Sequence, residues 1–258
     1  MSVCRTAKVH VVDCEVFDRQ ALDYAIDTAT GTFTMIEAGA GYGRWVVRAW
    51  ELLRSRRPEL TAKFVAIEAE PTHFKHMQDY IGEHGIELSS VRLINAAVNA
   101  KGGRVHFTVG HADEWYGQAI TPPDSQFGDW PNARLVEIDA VAFSEVIADI
   151  ERIDLLAMDI QGAEQEIIEC CMPEITRKVR VINVGTHSDV GHEAISRMLR
   201  KWRWTPVATY SPLRTHDTPL GSIEFQDGVH VWLAPSVRRL RFGSLRFRLR
   251  EMFSAFKH

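Results

Sequence analysis

The sequence predicts an α/β fold in which helices cover both faces of a parallel sheet. From residue 32 onward, short apolar runs typical of buried strands alternate with longer amphipathic runs typical of helices. Such alternation places crossover helices on both sides of a sheet of parallel strands. The first strand run also leads into a glycine-rich turn, "MIEAGAGYGRW" at 35–45. Ligands of such sheets bind beyond the carboxyl ends of the strands, so the functional residues are expected there.

The composition is that of an ordinary globular domain. The 258 residues are 45% hydrophobic and 25% charged, with a net charge of −4, so no nucleic-acid partner is predicted. We find no apolar run of the roughly 20 residues that a membrane span needs, and we recognise no secretory signal. The four cysteines form no C-x-x-C pair, which argues against a zinc site or a disulfide framework. A reduced, cytoplasmic location is therefore expected.

The elements follow in a regular order after a polar N-terminal extension, residues 1–30. Within that extension, 9–12 is a candidate strand and 18–27 has helical spacing. Strand runs lie at 32–39, 63–70, 91–98, 153–159 and 179–188. Helices are expected at 44–57, 72–85 and 191–204 and in the second half of 153–172. Pro58 closes the first of these helices and Pro71 opens the next.

The remaining segments are less regular. Residues 102–110 are predicted to form a hairpin arm, and 135–150 a strand edge and a helix. The runs 205–211 and 229–235 are predicted to be two final strands that pair antiparallel. Residues 110–134 form a long loop, and loops of this length in compact domains are usually functional or disordered.

The residues of the glycine-rich turn distinguish between three kinds of nucleotide-binding site. A strand that ends in a glycine turn before a helix offers backbone N–H groups and a positive dipole end to a ligand. Gly39 and Gly41 fit a dinucleotide fingerprint, but Arg44 stands where its third glycine should be. The turn also lacks the Lys-Ser/Thr ending of a P-loop. What remains is an acid followed by three alternate glycines, Glu37 and Gly39, Gly41 and Gly43, unless this is a plain strand–helix turn.

This pattern resembles the first motif of class I S-adenosylmethionine (SAM) methyltransferases, and two further acids agree with it. Glu37 could then orient the ammonium group of SAM, directly or through water. Glu68 ends the second strand run and could accept hydrogen bonds from both ribose hydroxyls; Glu70 is the rival acid, and a solvated strand-end acid is the alternative. Asp159 ends the run "LLAMD" beside the expected methionine end, unless it caps the following helix.

Three blocks, "FVAIEAEP", "INAAVNAKGGRVHF" and "IDLLAMDIQGAE", resemble the FkbM family of SAM-dependent methyltransferases over roughly residues 33–210. The resemblance implies a Rossmann-like seven-strand sheet, mostly parallel with an antiparallel terminal strand, and SAM as the methyl donor. It implies transfer to an oxygen of a small molecule or glycan, and it places Asn95 and Ala96 near the adenine. Gln161 departs from the family, in which an acid is more usual. The methyltransferase domain is assigned to 31–235.

The candidate catalytic residues follow the fifth strand run, in "NVGTHSDVGHE". His187 is predicted to be the general base that takes the proton of an acceptor hydroxyl, with Asp159 nearby. The alternative is a helix start capped by Ser188 or Asp189. Mg²⁺ could instead bind to Asp159 together with His187, Asp189, His192 and Glu193. No spacing requires that ion, so no metal is assigned.

Three aromatic residues of the long loop, Trp115, Tyr116 and Trp130, could wall a sugar or ring acceptor, or could pack beneath their own loop. The predicted function is therefore O-methylation of a hydroxyl on a glycan or secondary metabolite. A non-catalytic SAM-binding regulatory protein is the alternative, and Arg44 disfavours an NAD-dependent oxidoreductase. The residues do not determine whether the chain forms a homo-oligomer.

The C-terminal tail, residues 236–258, is strongly basic, with six Arg and one Lys against one Glu. As a helix it would place Leu245, Leu249, Met252 and Phe256 along one stripe. Such a helix could bind the surface of an anionic membrane, so peripheral contact at the inner membrane face is one expectation. Docking on the acidic body of the chain, or on a second subunit, is the other.

Overall fold

The computed structural model describes residues 15–110, 117–124 and 133–238. Its helices are α1 (Val16–Thr28), α2 (Arg44–Arg56), α3 (Pro71–Glu83), α4 (Phe143–Val146), α5 (Glu164–Lys178), α6 (Asp189–Lys201) and α7 (Pro235–Arg238). Its strands are β1 (Thr32–Ala38), β2 (Thr61–Glu68), β3 (Val91–Asn95), β4 (Ala97–Asn99), β5 (Gly103–Val109), β6 (Arg134–Ala142), β7 (Ile153–Met158), β8 (Val179–Thr186), β9 (Thr205–Tyr210), β10 (Arg214–Thr218), β11 (Gly221–Phe225) and β12 (Gly228–Leu233).

The main sheet confirms the predicted α/β fold. Its seven strands lie in the order β3-β2-β1-β7-β8-β12-β9. The strands from β3 to β8 pair in parallel, and β12, the last strand within the described residues, is antiparallel to both β8 and β9. The strand order reverses between β1 and β7, and such a switch point opens a crevice at the carboxyl ends of the strands.

The central strand β1 shows how the sequence builds two cores. Its alternate side chains face opposite sides, as the pleat of a strand requires. Phe33 and Met35 belong to the core under α1, α2 and α3, whereas Ile36 and Ala38 belong to the core under α4, α5 and α6. Helices therefore cover both faces of the sheet, as predicted from the alternation of strand and helix runs.

Helix α1 packs against the sheet, although the sequence assigned it to the extension 1–30. Its apolar face is almost fully buried in the first core, through Phe17, Leu22 and Ile26 among others. Helical spacing at 18–27 is thus confirmed, and this part of the extension is continuous with the core of the domain. The candidate strand at 9–12 lies outside the described residues.

The predicted third strand, 91–98, is wrong as a single element. β3 ends at Asn95, and after Ala96 the chain enters β4, which leaves the main sheet and pairs with β6. β4, β6 and β5 form a separate three-stranded sheet. The break was not predicted because the run is mostly apolar and, although Asn95 stands at the break, holds no Gly or Pro to mark it. The hairpin of β10 and β11 was also not predicted.

None of the helices within the described ranges is both long and apolar enough to span a membrane.

Candidate functional site

A cavity of about 380 Å³ lies at the switch point of the sheet. The turn after β1 forms one wall, and the ends of β2, β7 and β8 form others. Residues from the second sheet and from α1 complete it. The lining includes the predicted residues Glu37, Gly39, Gly41, Glu68, Ala96 and Asp159. Gly43, Asn95 and His187 are not on this wall, although each contacts a residue or element that is.

The three glycines of the turn serve three different purposes. Gly39 allows two strand ends to approach each other, because a Cβ atom here would lie 1.8 Å from the carbonyl oxygen of Asp159. Gly41 donates its backbone N–H to Glu68 Oε2 at 2.8 Å. Gly43 is buried away from the cavity, where a Cβ atom would lie 2.9 Å from Met77 Cγ of α3. Only the first two therefore border the cavity, and Gly43 sets the packing of α2 on α3.

Glu68 occupies the position that the sequence predicted, at the end of β2. It is 8% exposed, and its other oxygen accepts the backbone N–H of Glu70 at 2.9 Å. Burial raises the pKa of Glu68 to about 7. The rival acid Glu70 faces away and caps α3, accepting the N–H of His73 at 2.7 Å. Asn95 donates to the backbone carbonyl of Glu68 at 2.9 Å, so it supports the end of β2 while Ala96 faces the cavity.

Glu37 lies at the base of the turn, almost fully buried. Its carboxylate accepts the N–H of Val46 in the first turn of α2 at 3.2 Å. Burial raises the pKa of Glu37 to about 8, and the hydrogen bond from Val46 opposes that rise. A carboxyl in this place fixes the start of α2 and brings a titratable group to the cavity wall.

Two residues of this end of the cavity were missed from the sequence. Asp18, on α1, accepts a hydrogen bond of 2.7 Å from Asn183 Nδ2 in the middle of β8. Burial raises the pKa of Asp18 to about 6. Asn183 Oδ1 is buried and has no hydrogen-bond partner among the described residues. The only signal for Asn183 was a polar residue inside an apolar strand run, which a ligand or a buried network can explain.

The turn "DIQGAE" between β7 and α5 is held by Glu164. Its two carboxylate oxygens accept the N–H groups of Ile160 and Gly162, each at 2.8 Å. Asp159 is therefore not the cap of α5, which was the alternative for it. Its side chain is 56% exposed and accepts a hydrogen bond from Gln161 Nε2 at 3.2 Å. Gln161, where the family more often has an acid, thus orients Asp159.

His187 lies between three carboxylates. Its Nε2 is 3.0 Å from Asp159 Oδ1 and 3.4 Å from Glu164 Oε1, and its Nδ1 is 2.9 Å from Asp227 Oδ1. Burial lowers the pKa of His187, but the three carboxylates outweigh burial and raise it to about 12. The predicted role of general base requires a neutral ring, and these carboxylates favour the charged ring. Asp227, in the turn before β12, was not predicted.

The residues after His187 in "NVGTHSDVGHE" do not reach the site, whereas Asn183 and Gly185 before it line the cavity. Ser188 is the cap of α6 and accepts the N–H of Gly191 at 3.2 Å, so a helix does start here as the alternative proposed. Asp189 forms an ion pair with Arg214 on the surface. His192 is buried against Thr186 and His230, and Glu193 is exposed beside Arg197. The loop aromatics Trp115, Tyr116 and Trp130 lie outside the described residues.

The cavity wall suits a ligand that carries both hydroxyl groups and a cation. Glu68 offers a carboxylate already oriented by two backbone N–H groups. Acceptors for a charged donor are also present on the cavity wall, namely Asp18, Glu37 and the unpartnered Asn183 oxygen. Ala96 adds a small apolar side chain to the same wall. These donor and acceptor types match the ribose, ammonium and adenine of SAM.

Comparison with known proteins finds relatives in one family of enzymes. A family model described as the methyltransferase FkbM domain matches residues 37–203, more than half of the chain. A protein of Jannaschia sp. (strain CCS1), provisionally named a methyltransferase, is 24% identical over 183 residues. That match covers 70% of this chain and 65% of the relative, so the chain spans slightly less than two thirds of the relative's length.

Solved structures share the fold. An FkbM methyltransferase from Methylobacillus flagellatus KT has a TM-score of 0.50 at 13% identity, covering 80% of this chain and 45% of that one. A precorrin-6y C5,15-methyltransferase from Geobacter metallireducens GS-15 has a TM-score of 0.48 at 13% identity, covering 88% and 92%. At 13% identity, the similarity to the FkbM methyltransferase structure shows a common fold and nothing further.

Proposed function

Because the chain belongs to the FkbM methyltransferase family, we propose that it transfers a methyl group from SAM to a hydroxyl of a small molecule or glycan. The observation that carries the proposal is the contact between Gly41 and Glu68. It joins the glycine turn and the strand-end acid at 2.8 Å, in one cavity at the switch point of the sheet. A plain strand–helix turn would not need a buried carboxylate with a raised pKa beside it.

Each part of SAM has candidate partners in this cavity. Glu68 would accept hydrogen bonds from the ribose hydroxyls, and Ala96 would lie beside the adenine. Glu37 and Asp18 would attract the ammonium group, for which Asn183 Oδ1 offers a further acceptor. SAM would supply an electrophilic methyl group on a positively charged sulfur.

The work of the protein is then alignment and the exclusion of water. The methyl carbon leaves sulfur and bonds to the acceptor oxygen, the acceptor O–H bond breaks, and the products are a methyl ether, S-adenosylhomocysteine and a proton. Asp159 lies at the carboxyl end of β7, on the wall where an acceptor would meet the methyl group. His187 could accept this proton only while its own ring is neutral, so its role as the general base stays a prediction.

The cofactor assignment can be tested by calorimetry with Glu68→Ala. At a pH above 7, where Glu68 is ionised, removing this acceptor of the ribose hydroxyls should cost about 1.5–3 kcal/mol, or roughly 10- to 100-fold in SAM affinity. Glu51→Ala, which removes an exposed carboxylate from α2, serves as the matched control. Unchanged affinity in folded Glu68→Ala, or binding of NADH in place of SAM, would contradict the assignment. Formation of S-adenosylhomocysteine with hydroxyl acceptors then separates an enzyme from a non-catalytic SAM-binding protein.

A further inference from the structure

We propose that Asp159, Glu164 and His187 bind a divalent metal ion at the edge of the cofactor cavity. One ligand atom from each residue meets the other two within 4.8 Å. The three residues come from the end of β7, the start of α5 and the end of β8. They therefore stand on rigid elements at the switch point, beside the place where an acceptor would bind.

The distances fit a shared ion. Two atoms each bonded at about 2.1 Å to one ion lie about 3.0 Å apart at an octahedral angle and about 3.4 Å apart at a tetrahedral angle. His187 Nε2 is 3.0 Å from Asp159 Oδ1 and 3.4 Å from Glu164 Oε1. An ion can thus be placed among the three atoms with small side-chain movements.

The missing hydrogen-bond partner of His187 Nε2 also supports an ion at this place. This atom is shielded from solvent, and neither nearby carboxylate oxygen lies in line with an N–H bond on it, so it has no hydrogen-bond partner among the described residues. The other ring nitrogen, Nδ1, contacts Asp227 Oδ1 at 2.9 Å. A carboxylate on one ring nitrogen fixes the tautomer that leaves the other nitrogen free to bind metal. A metal bound at Nε2 would take the place of the proton there, and it would not require an N–H bond aligned with either carboxylate.

The surrounding residues hold the ligands in place. Glu164 is buried, and two backbone N–H groups fix its carboxylate. A Cβ atom at Gly185 of β8 would lie 3.1 Å from Asp159 Cγ, so this glycine makes room for the aspartate. Gln161 orients the same aspartate through Nε2. These contacts are the kind of outer-shell support that metal ligands need.

The ligand set favours Mn²⁺ over Mg²⁺, because one of the three ligands is an imidazole and Mg²⁺ prefers oxygen ligands and water. Asp159 lines the cavity, so an ion bound to it would lie at the cavity's edge. If the proposed methyl transfer is correct, the ion would hold two adjacent oxygens of the acceptor. The acceptor class would then be a vicinal diol, such as that of a sugar, or a hydroxyl beside a carbonyl.

The site is tested by titrating the whole chain with Mn²⁺ in the absence of SAM and acceptor. Electron paramagnetic resonance measures how much of the ion is bound. We expect one ion per chain, with affinity falling at least about 10- to 100-fold in His187→Ala and in Asp159→Asn. Asp227→Asn should weaken binding by about 10-fold, as loss of an outer-shell partner does. Glu193→Gln removes an exposed carboxylate of the next helix and should bind Mn²⁺ as the unchanged chain does.

Wild-type binding no tighter than that of His187→Ala would overturn the proposal. Circular dichroism checks that each variant folds, and Asp227→Asn keeps the test valid if His187→Ala does not fold. Glu164→Gln is avoided because that carboxylate also holds the backbone of the turn. SAM calorimetry in a chelator separates the two proposals. SAM binding without any Mn²⁺ site removes only the metal, whereas Mn²⁺ binding without SAM binding removes only the cofactor assignment.

Discussion

Glu37 and Glu68 are buried carboxylic acids that the unfolded chain would expose. Their pKa values rise by burial to about 8 and about 7, from an ordinary value of 4.5. The folded protein therefore holds these protons at pH values where the unfolded chain has released them. The stability that this difference contributes is complete below about pH 4.5 and is lost as the pH rises through about 7 and 8.

Glu37→Gln should remove part of this pH dependence. A neutral amide of the same shape cannot ionise, so we expect the free energy of unfolding to fall less between about pH 5 and about pH 8 than it does in the unchanged chain. Urea denaturation of the protein without ligand at the two pH values measures this. Glu51→Gln, at an exposed position, is the control. If Glu37→Gln and the unchanged chain lose equal stability over that range, Glu37 is ionised in the folded protein.

Strand ends explain which site residues the sequence could predict. Glu37, Glu68 and Asp159 each follow an apolar strand run, and parallel strands bring such ends to one edge. Asp18 lies on α1, near the start of the chain, and Asp227 lies in the turn before β12. Only the tertiary fold brings them to one cavity. Their local sequence therefore carried no sign of the site.

At the scale of elements, the junction of α2 and α3 depends on Gly43. This residue precedes α2 with a φ of 80° and is buried. A Cβ atom there would lie 2.9 Å from Met77 Cγ and 3.2 Å from Ile81 Cδ1. The third glycine of the turn is thus explained by helix packing rather than by a ligand.

Gly43→Ala should destabilise the fold more than Gly31→Ala. Both glycines have a positive φ, 80° and 71°, so both substitutions bear the strain of a left-handed backbone, about 1–2 kcal/mol. A Cβ atom at Gly31 meets nothing within 4 Å. Overpacking against α3 should therefore add about 1–3 kcal/mol in Gly43→Ala alone. Urea denaturation of both variants measures the difference, and equal losses would show that α3 moves aside without cost.

Other elements show where sequence patterns fail. The glycine turn, the helices that Pro58 and Pro71 delimit, and the final antiparallel pair could be predicted, because periodicity and proline mark them locally. β4 leaves the main sheet to pair with β6, some forty residues further along the chain. That choice of partner depends on long-range packing, and an apolar run is compatible with either sheet.

For the whole molecule, the two ends of the main sheet differ in character. The acidic cavity lies at the carboxyl ends of the strands. At the amino ends lies a second cavity of about 740 Å³, which Ser236 and Val237 help to line. Its charged lining consists of five basic residues, Arg57, Arg152, Arg177, Lys178 and Arg180, and two acidic ones, Asp27 and Glu151. Asp154 pairs with two of these arginines, Glu59 pairs with Arg57, and Lys178 is buried, so only part of the basic charge faces solvent.

The chain enters its basic tail at this second cavity. Val237 is 7% exposed, so α7 is still packed on the domain. Residues 239–258, the rest of the predicted amphipathic segment, lie outside the described residues. We propose that the tail and the basic surface bind anionic membranes from the side opposite the cofactor cavity, which would leave that cavity open to its substrates.

A chain that ends at Arg238 tests this, because it keeps the buried Val237 and removes most of the tail's charge. The full chain should co-sediment with vesicles that contain anionic lipid at low ionic strength, since each basic residue near such a surface adds about 1 kcal/mol. Binding should weaken as salt shortens the Debye length, to about 8 Å at physiological ionic strength. Vesicles of neutral lipid alone are the control. If the shortened chain binds anionic vesicles as well as the full chain, the basic surface suffices and the tail is not an anchor. If neither chain binds anionic vesicles, the membrane proposal is wrong, and docking of the tail on the acidic body or on a second subunit takes its place.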